Sequence, residues 1–578
     1  MSSEINKTQV QQRPLQCDDS ILSLSCSPLL TKLYASRGIT ENAELDNSTK
    51  TLIHASQLKG MDDACDLLYQ AYLSQQKIII VGDFDADGAT STALSVLSLR
   101  ALGFQQVDYL VPNRFDYGYG LSPEIVDLAV QQGAELLMTV DNGISSISGV
   151  AHAKQCGLKV LVTDHHLPGE ETPIADAIVN PNQVGCDFPS KNLAGVGVAF
   201  YVMLALRSLM QEKGCFTQFP APNLANFLDI VALGTVADVV KLDGNNRTLV
   251  HQGLARIRAG YCRPGISALI QVAKRNQQQL VASDLGFSLG PRLNAAGRLD
   301  EMSHGVELLL CDDPLHANTL ATELDGLNVS RREIEQSMQQ EALANLQKLS
   351  IDQANLPLAL CLFEADWHQG VIGLVASRIK ERYYRPTFAF ARANDGEIKG
   401  SARSIPGVHI RDMLDVVDKT IPGVILKFGG HAMAAGLSLS EKDFALFNDT
   451  LNKVLAEQVE DHLLQNVILS DGQLTPDQLD LCIAQELRDA GPWGQGFPAP
   501  VFDGVFELKQ QRIVGLKHLK MMLEHEGKLI DAIAFNIDPE VWPNLSVKKV
   551  FCVYSLDVNE FRGQRTAQLL VQLLEPRG

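Results

Sequence analysis

Asp83, Asp85 and Asp87 alternate along the stretch VGDFDADGAT, directly after the apolar run KIII. In an extended chain, residues two apart point to one side, so three carboxylates start on a shared face. Gly88 then permits a tight turn. One Asp at such a tip is accounted for by a solvated loop or a helix N-cap. Three of them after a buried strand repel one another unless positive charge sits among them.

The pattern recurs. LLMTVDNGIS ends a second apolar run with Asp141, and VLVTDHHLPG ends a third with Asp164, His165 and His166. Asp238 stands in DIVALGTVADVVKL, an apolar, helix-like segment where a lone carboxylate is costly to bury. In a parallel sheet these strand ends share one edge, the crevice where open α/β sheets bind ligands. Carboxylates with one or two imidazoles suit Mn²⁺ or Mg²⁺. No thiolate belongs to the set, which disfavours structural zinc. The candidates outnumber the protein ligands one such ion draws. The expected cofactors are therefore two divalent metal ions, Mn²⁺ or Mg²⁺, about 3.5–4 Å apart, a pair suited to in-line phosphoryl displacement. There is no Walker phosphate loop and no GxGxxG after a strand, so nucleotide-fuelled and NAD-linked readings lose support.

These residues need a sheet to gather them. From about 61 to 240, short β-branched runs (KIIIVG, VDYLVP, ELLMTVD, LKVLVTD, DAIVNP) alternate with helical stretches, the pattern of an α/β domain with a mostly parallel sheet. LATELDGLNVSRREIEQSMQQEALANLQKL has no proline and suits a long connecting helix. A second α/β pattern follows, and after about 465 short strands suggest a small antiparallel β-barrel, OB-fold-like. The expected fold class is therefore two α/β domains joined by a long helix, plus a C-terminal barrel. The expected divisions are an N-terminal extension (1–60), the acid-bearing domain (61–303), the connecting helix (304–350), the second α/β domain (351–460) and the barrel (465–578).

Bulk properties exclude several classes. At 578 residues, 46% hydrophobic and 20% charged, the chain is globular rather than disordered. Its longest apolar stretch, Leu193 to Leu206, is too short to span a bilayer, and the N-terminus has no apolar signal core. The 11 cysteines form no CxxC pair. A reduced, cytoplasmic protein with no membrane contact is expected. A net charge of −19 argues against a general nucleic-acid coat protein. From Glu507 onward the charge is +1 while the rest carries −20, modest support for a nucleic-acid-facing barrel.

GDFDADG, TVDNGIS, DHHLP and ALGTVADVV match, in order, the successive motifs of the DHH family of phosphoesterases. PNRFDYGYGLS, LGPRLNAAGRLD, WHQGVIGLVASRIKERYYRPT, KGSARSI and GGHAMAAGL resemble its branch of single-strand-specific DNA exonucleases, over roughly residues 50 to 575. The resemblance implies a DHH domain and a DHH-associated substrate-binding domain, with the metal site facing the groove between them. Carried over by motif, Asp85, Asp87, Asp141, His165 and Asp238 are metal ligands, with Asp141 bridging because its strand lies between the others. Asp83 is a further ligand or supports one, Asp164 orients an imidazole, and His166 meets phosphate or assists proton transfer.

Basic residues gather near glycines: Arg292, Asn294 and Arg298 in GPRLNAAGR; Lys399, Ser401 and Arg403 in KGSAR; Gly429, Gly430 and His431 in GGHAMAAG. Glycines let backbone N–H groups approach a phosphate, and Arg grips one bidentately. Arg114, Tyr117 and Tyr119 add a guanidinium and aromatic faces suited to a single strand. The residues by themselves support metal-assisted phosphoester hydrolysis. The resemblance adds 5′→3′ degradation of single-stranded DNA to mononucleotides in repair and recombination, with a helicase and a single-strand-binding protein as partners. Two alternatives remain open: an oligoribonuclease or cyclic-dinucleotide phosphodiesterase of the same family, and a non-catalytic single-stranded-DNA-binding scaffold.

Overall fold

IIIVG (Ile78–Gly82, β1) and LLMTV (Leu136–Val140, β3) are buried along their whole length. Continuous apolar strands of this kind require helices on both faces of the sheet. With Val107–Leu110 (β2), Lys159–Thr163 (β4) and Ala177–Val179 (β5), they form a five-stranded sheet, ordered β2-β1-β3-β4-β5. Every pair in it is parallel. This computed structural model describes all residues except 1–7, 18–23, 114–119, 218–219, 349–355, 394–395, 516, 540 and 578, and leaves the side chains of 345, 347, 348 and 461 undescribed.

Six helices position the strand ends. They are Ala86–Ala101 (α1), Pro123–Gln131 (α2), Ile147–Gln155 (α3), Gly195–Glu212 (α4), Leu228–Ala237 (α5) and Gly290–Leu299 (α6). Ile79, Val81, Leu137, Val160 and Val162 form one core with Ile125, Val126, Val150 and Ala153 of α2 and α3. α4 and α5 pack on α1. α1 is buried on nearly every side, and so is the apolar α5. Helices this apolar stay folded only inside a larger assembly.

The chain divides into two compact units. One comprises Gln12–Gly326 and Ser470–Gly578; the other comprises Leu327–Leu469 with the N-terminal stretch to Gln11. A 35-residue helix, Pro314–Lys348 (α7), runs from the first into the second. In the second unit, Leu360–Glu364 (β6), Thr387–Arg392 (β7), Glu397–Arg403 (β8), Ile425–Gly430 (β9) and Ala434–Ser440 (β10) form a mixed sheet ordered β9-β10-β8-β7-β6. Ile372–Tyr383 (α8) packs on β7 and β8.

In the first unit, Phe502–Val514 (β11), His518–His525 (β12), Lys528–Ala534 (β13), Lys549–Phe561 (β14) and Gln564–Arg577 (β15) close into a barrel. The barrel is not wholly antiparallel: β13 and β15 run parallel. Parity requires this, because a closed ring with an odd number of strands cannot alternate direction throughout. The N-terminal segment is tied to this region by Arg37, whose two terminal nitrogens lie 3.0 Å from the two oxygens of Asp471. Both side chains are buried.

Candidate metal centre

The strand order decides the site. In a 2-1-3-4-5 sheet the switch point lies between β1 and β3, and ligands bind beyond the carboxyl ends of those strands. Asp83, Asp85 and Asp87 follow β1, and Asp141 follows β3. β4, adjacent on the other side of β3, delivers Asp164, His165 and His166. Asp238 closes the C-terminus of α5.

Four of these side chains meet at one nitrogen. His165 Nε2 lies 3.1 Å from Asp141 Oδ1, 3.5 Å from Asp238 Oδ2 and 4.0 Å from Asp87 Oδ2. Ligand atoms of Asp83, Asp85 and Asp141 form a second group within 4.8 Å of one another, and those of Asp141, His165 and His166 a third. Asp141 belongs to all three of these groupings. It also has φ 61°, a left-handed conformation that Asp tolerates better than most residues. Val239, just after Asp238, has φ 62°, a genuine outlier for a β-branched residue. Such strain clusters where the surrounding structure fixes a functional group.

The charges are mutually unfavourable. Burial first, then the Asp85 charge, pushes Asp87 up to about 7. Burial and the neighbouring carboxylates, with Asp87 foremost, hold Asp141 and Asp238 well above the usual carboxylate range. Divalent cations relieve this cost, and the oxygen-rich, imidazole-containing, thiol-free donor set fits Mn²⁺ or Mg²⁺.

The other groups brace this cluster. Asp85 caps α1, accepting from the Asp87 and Gly88 N–H groups. Asp87 accepts from the N–H groups of Gly195 at 2.6 Å and Val196 at 3.0 Å, the first turn of α4. Asp164 is buried and accepts from the N–H groups of Ile144, His165 and His166 and from the His166 ring Nδ1 at 2.7 Å. Burial opposes its ionisation, but the hydrogen bond and charge of His166 hold it below the usual range. Burial likewise opposes the charged His166 ring, and the bond to Asp164 outweighs it, raising His166 to about 8. The imidazole anchored by Asp164 is therefore that of His166.

The positioning residues include several that sequence reasoning passed over. Asn142 donates to Val81 and Val140, tying the ends of β1 and β3 together. Asn180 and Asn182 donate to the carbonyls of His166 and His165. Their signal was the NPN that follows β5 at the same sheet edge. Gly195 is required by close approach: an added Cβ would lie 2.6 Å from Asp141 Cβ and 2.7 Å from its Oδ1.

The residues read as a phosphate track fall in several places. Arg292 is buried, with its guanidinium on the Ser288 carbonyl and on Asp325 at 2.9 Å. Asn294 accepts from the Ala86 N–H at 2.8 Å, so it braces the acidic loop. Arg298 lies one α-helical turn further along α6, partly buried. In the second unit, Arg403 donates to Ser401 Oγ at 3.0 Å. A Cβ on Gly373 of α8 would fall within 2.9 Å of both side chains. Gly430 and His431 form the turn from β9 to β10, and the His431 N–H donates to the Ala434 carbonyl. Arg114, Tyr117 and Tyr119 lie outside the described residues.

Fold and site define a class: an α/β phosphoesterase core that gathers acids and imidazoles at the switch point of a parallel sheet. Residues 77–235 match the DHH family, N-terminal domain; residues 355–457 match the DHHA1 domain; residues 470–572 match the RecJ OB domain. The single-stranded-DNA-specific exonuclease RecJ of Escherichia coli (strain K12) is 56% identical over 575 residues, 99% of this chain and 100% of that protein. RecJ of Bacillus subtilis (strain 168) is 33% identical, over 97% of this chain and 70% of that protein. The chain belongs to the RecJ family. The crystal structure of RecJ in complex with Mn²⁺ from Thermus thermophilus superposes with a TM-score of 0.80 at 29% identity, covering 99% of this chain and 79% of that one. The Mg²⁺ complex from the same organism gives 0.75 at 28% identity, with 99% and 78% covered.

Proposed function

We propose that this chain is a metal-dependent exonuclease that hydrolyses single-stranded DNA to mononucleotides from the 5′ end. The observation that carries this reading is the convergence of Asp87, Asp141 and Asp238 on His165 Nε2, in a chain 56% identical to a single-stranded-DNA-specific exonuclease. Asp85, Asp87, Asp141, His165 and Asp238 would hold the ions, with Asp83 adding to the oxygen set. A divalent pair supplies an activated water and charge neutralisation at the scissile phosphate. The protein's own groups position and neutralise. His166, charged through Asp164, presents a cation and a proton donor toward the phosphate. Ser401, Arg403, Gly430 and His431 contact the strand's backbone, as do Arg114 and Arg298, with Tyr119 stacking on a base. Arg292 and Asn294 act by bracing α6 and the acidic loop.

The RecJ-type barrel favours a polymer over the dinucleotides of smaller DHH relatives, and the intact ligand set favours catalysis over a passive scaffold. The proposed domain organisation has five parts: 1–60, 61–303, 304–350, 351–460 and 465–578. A helicase supplying single strands and a single-strand-binding protein are the proposed partners, and the cytoplasm the proposed compartment. No described helix is long and apolar enough to cross a membrane.

The test uses oligonucleotides blocked by phosphorothioates at the 5′ end or the 3′ end, with duplex and RNA controls. Each is incubated with Mn²⁺, Mg²⁺ or EDTA, beside Asp141→Ala. Digestion stopped only by the 5′ block, and lost with EDTA or in Asp141→Ala, is expected. Digestion stopped by the 3′ block instead overturns the polarity. Binding without cleavage under every ion overturns the enzyme, and cleavage confined to the shortest RNAs moves the assignment to an oligoribonuclease.

A further inference from the structure

A second set of metal-ligating side chains lies away from the acidic centre. His152 and Cys156 are four residues apart at the C-terminal end of α3, a spacing that places both on one face of the chain's helical turn. Asp127 comes from α2, which packs beside α3. His152 Nε2 lies 2.8 Å from Asp127 Oδ1 and 3.8 Å from Cys156 Sγ. All three donor atoms lie within 4.8 Å of one another.

Those separations can be compared with what an ion requires. Tetrahedral Zn²⁺, with Zn–N and Zn–O near 2.0–2.1 Å and Zn–S near 2.3 Å, sets N···O at about 3.3 Å and N···S at about 3.6 Å. Both observed distances fall within about half an ångström of these values, a movement that exposed side chains make by small rotations. A surface Asp–His pair accounts for two of the groups and contributes about 0–1 kcal/mol. It does not account for an exposed thiol directed at the same imidazole nitrogen.

We propose that Asp127, His152 and Cys156 form a cation site for a thiophilic divalent ion such as Zn²⁺, with solvent in the fourth position. Its donors differ in kind from those of the catalytic centre, where no thiol takes part. Its place differs as well. Cys156 precedes β4 and His165 follows it, so the two sites lie at opposite edges of the sheet. A five-residue strand spans roughly 17 Å. An ion there joins α2 to α3 and takes no part in hydrolysis. On binding, the Cys156 thiol proton passes to solvent and His152 ligates through Nε2 as a neutral imidazole whose ring proton rests on Nδ1. The ion stabilises the fold by an amount that grows with the logarithm of its free concentration above Kd.

The experiment titrates Co²⁺ into full-length protein held in saturating Mn²⁺. Co²⁺ that exchanges into the acidic centre meets no thiolate, so thiolate-to-cobalt charge transfer in the near-ultraviolet reports the proposed site alone. One equivalent is expected to develop that band together with tetrahedral visible absorption, and Zn²⁺ is expected to abolish both. Cys156→Ser and His152→Ala are expected to lose the band, Asp127→Asn to weaken binding about tenfold, and Asp141→Ala to retain it. Digestion of single-stranded DNA by Cys156→Ser is expected to stay within about twofold of the wild type, which also shows that the variant folds. Absence of the band up to millimolar Co²⁺, or a band that survives in Cys156→Ser, overturns the proposal.

Discussion

Gly195→Ala offers a sharp test of how the metal centre is held, because local and tertiary arguments give it opposite signs. Gly195 opens α4, and Ala in a helix is favoured over Gly by about 0.5–1 kcal/mol. The added methyl, however, would lie 2.6 Å from Asp141 Cβ and 2.9 Å from its Cα. Carbon pairs settle at about 3.5–4.0 Å, so α4 and Asp141 must separate by about one ångström. Overpacking of this kind costs about 1–3 kcal/mol, which outweighs the helix gain. If α4 retreats, the 2.6 Å bond from the Gly195 N–H to Asp87 stretches to the edge of hydrogen-bonding range. If Asp141 retreats instead, it leaves His165. Either way the packing that fixes a ligand shifts by about an ångström, a misplacement that costs about 100-fold in rate. The assay measures single-stranded DNA digestion in Mn²⁺, Mn²⁺ affinity by calorimetry, and Tm. The expected result is a rate loss near 100-fold, Mn²⁺ binding weaker by about tenfold or more, and a Tm lower by a few degrees. Gly326→Ala is the control: Gly326 lies within α7, exposed, with open space around the site of its Cβ. It is expected to raise stability by about 0.5–1 kcal/mol with activity unchanged. Wild-type rate and Mn²⁺ affinity in Gly195→Ala would refute the reasoning.

Three further outcomes are expected. Asp164→Asn keeps the shape of a side chain that accepts four hydrogen bonds but sets an amide against donors, so His166 loses both its anchor and its raised pKa. Activity should fall about 10–100-fold with Mn²⁺ still bound, measured as kcat beside a calorimetric titration. In metal-free protein, Asp87, Asp141 and Asp238 retain protons that the unfolded chain has released, so stability falls as pH rises from about 4 through the Asp87 value of about 7. Bound Mn²⁺ removes the penalty, so the Tm difference between Mn²⁺ and EDTA should widen from about pH 5 to pH 8; a narrowing difference contradicts the charge assignment. Arg37→Met removes the bidentate partner of the buried Asp471 but leaves Arg13 at 3.2 Å, and should cost about 1.5–3 kcal/mol in denaturant unfolding, with Mn²⁺ affinity unchanged.

Much of this molecule follows from local chemistry. Buried parallel strands must be apolar and β-branched, so IIIVG and LLMTV announce themselves. An acid directly after such a strand must lie at the sheet's carboxyl edge, so Asp83 to Asp87, Asp141 and the DHH triplet share that edge whatever the strand order. The order itself comes from packing. Only the tertiary structure sets β3 between β1 and β4, and with it Asp141 between Asp87 and His165. The same holds for Asp238, brought to His165 by a helix whose apolar sequence says nothing about which strand it covers. Arg292 and Asn294 show the limit most clearly. In sequence, an Arg and an Asn among glycines suit a phosphate equally well as a protein partner. Their contacts, with Asp325 and with the Ala86 N–H, lie 33 and 208 residues away along the chain. Gly195 is silent in sequence for the same reason: a missing side chain has meaning only once Asp141, 54 residues earlier, has been folded against it. Residue type and spacing determine which chemistry is available, because they act within a few residues; which groups meet is decided by long-range packing, which no local pattern encodes.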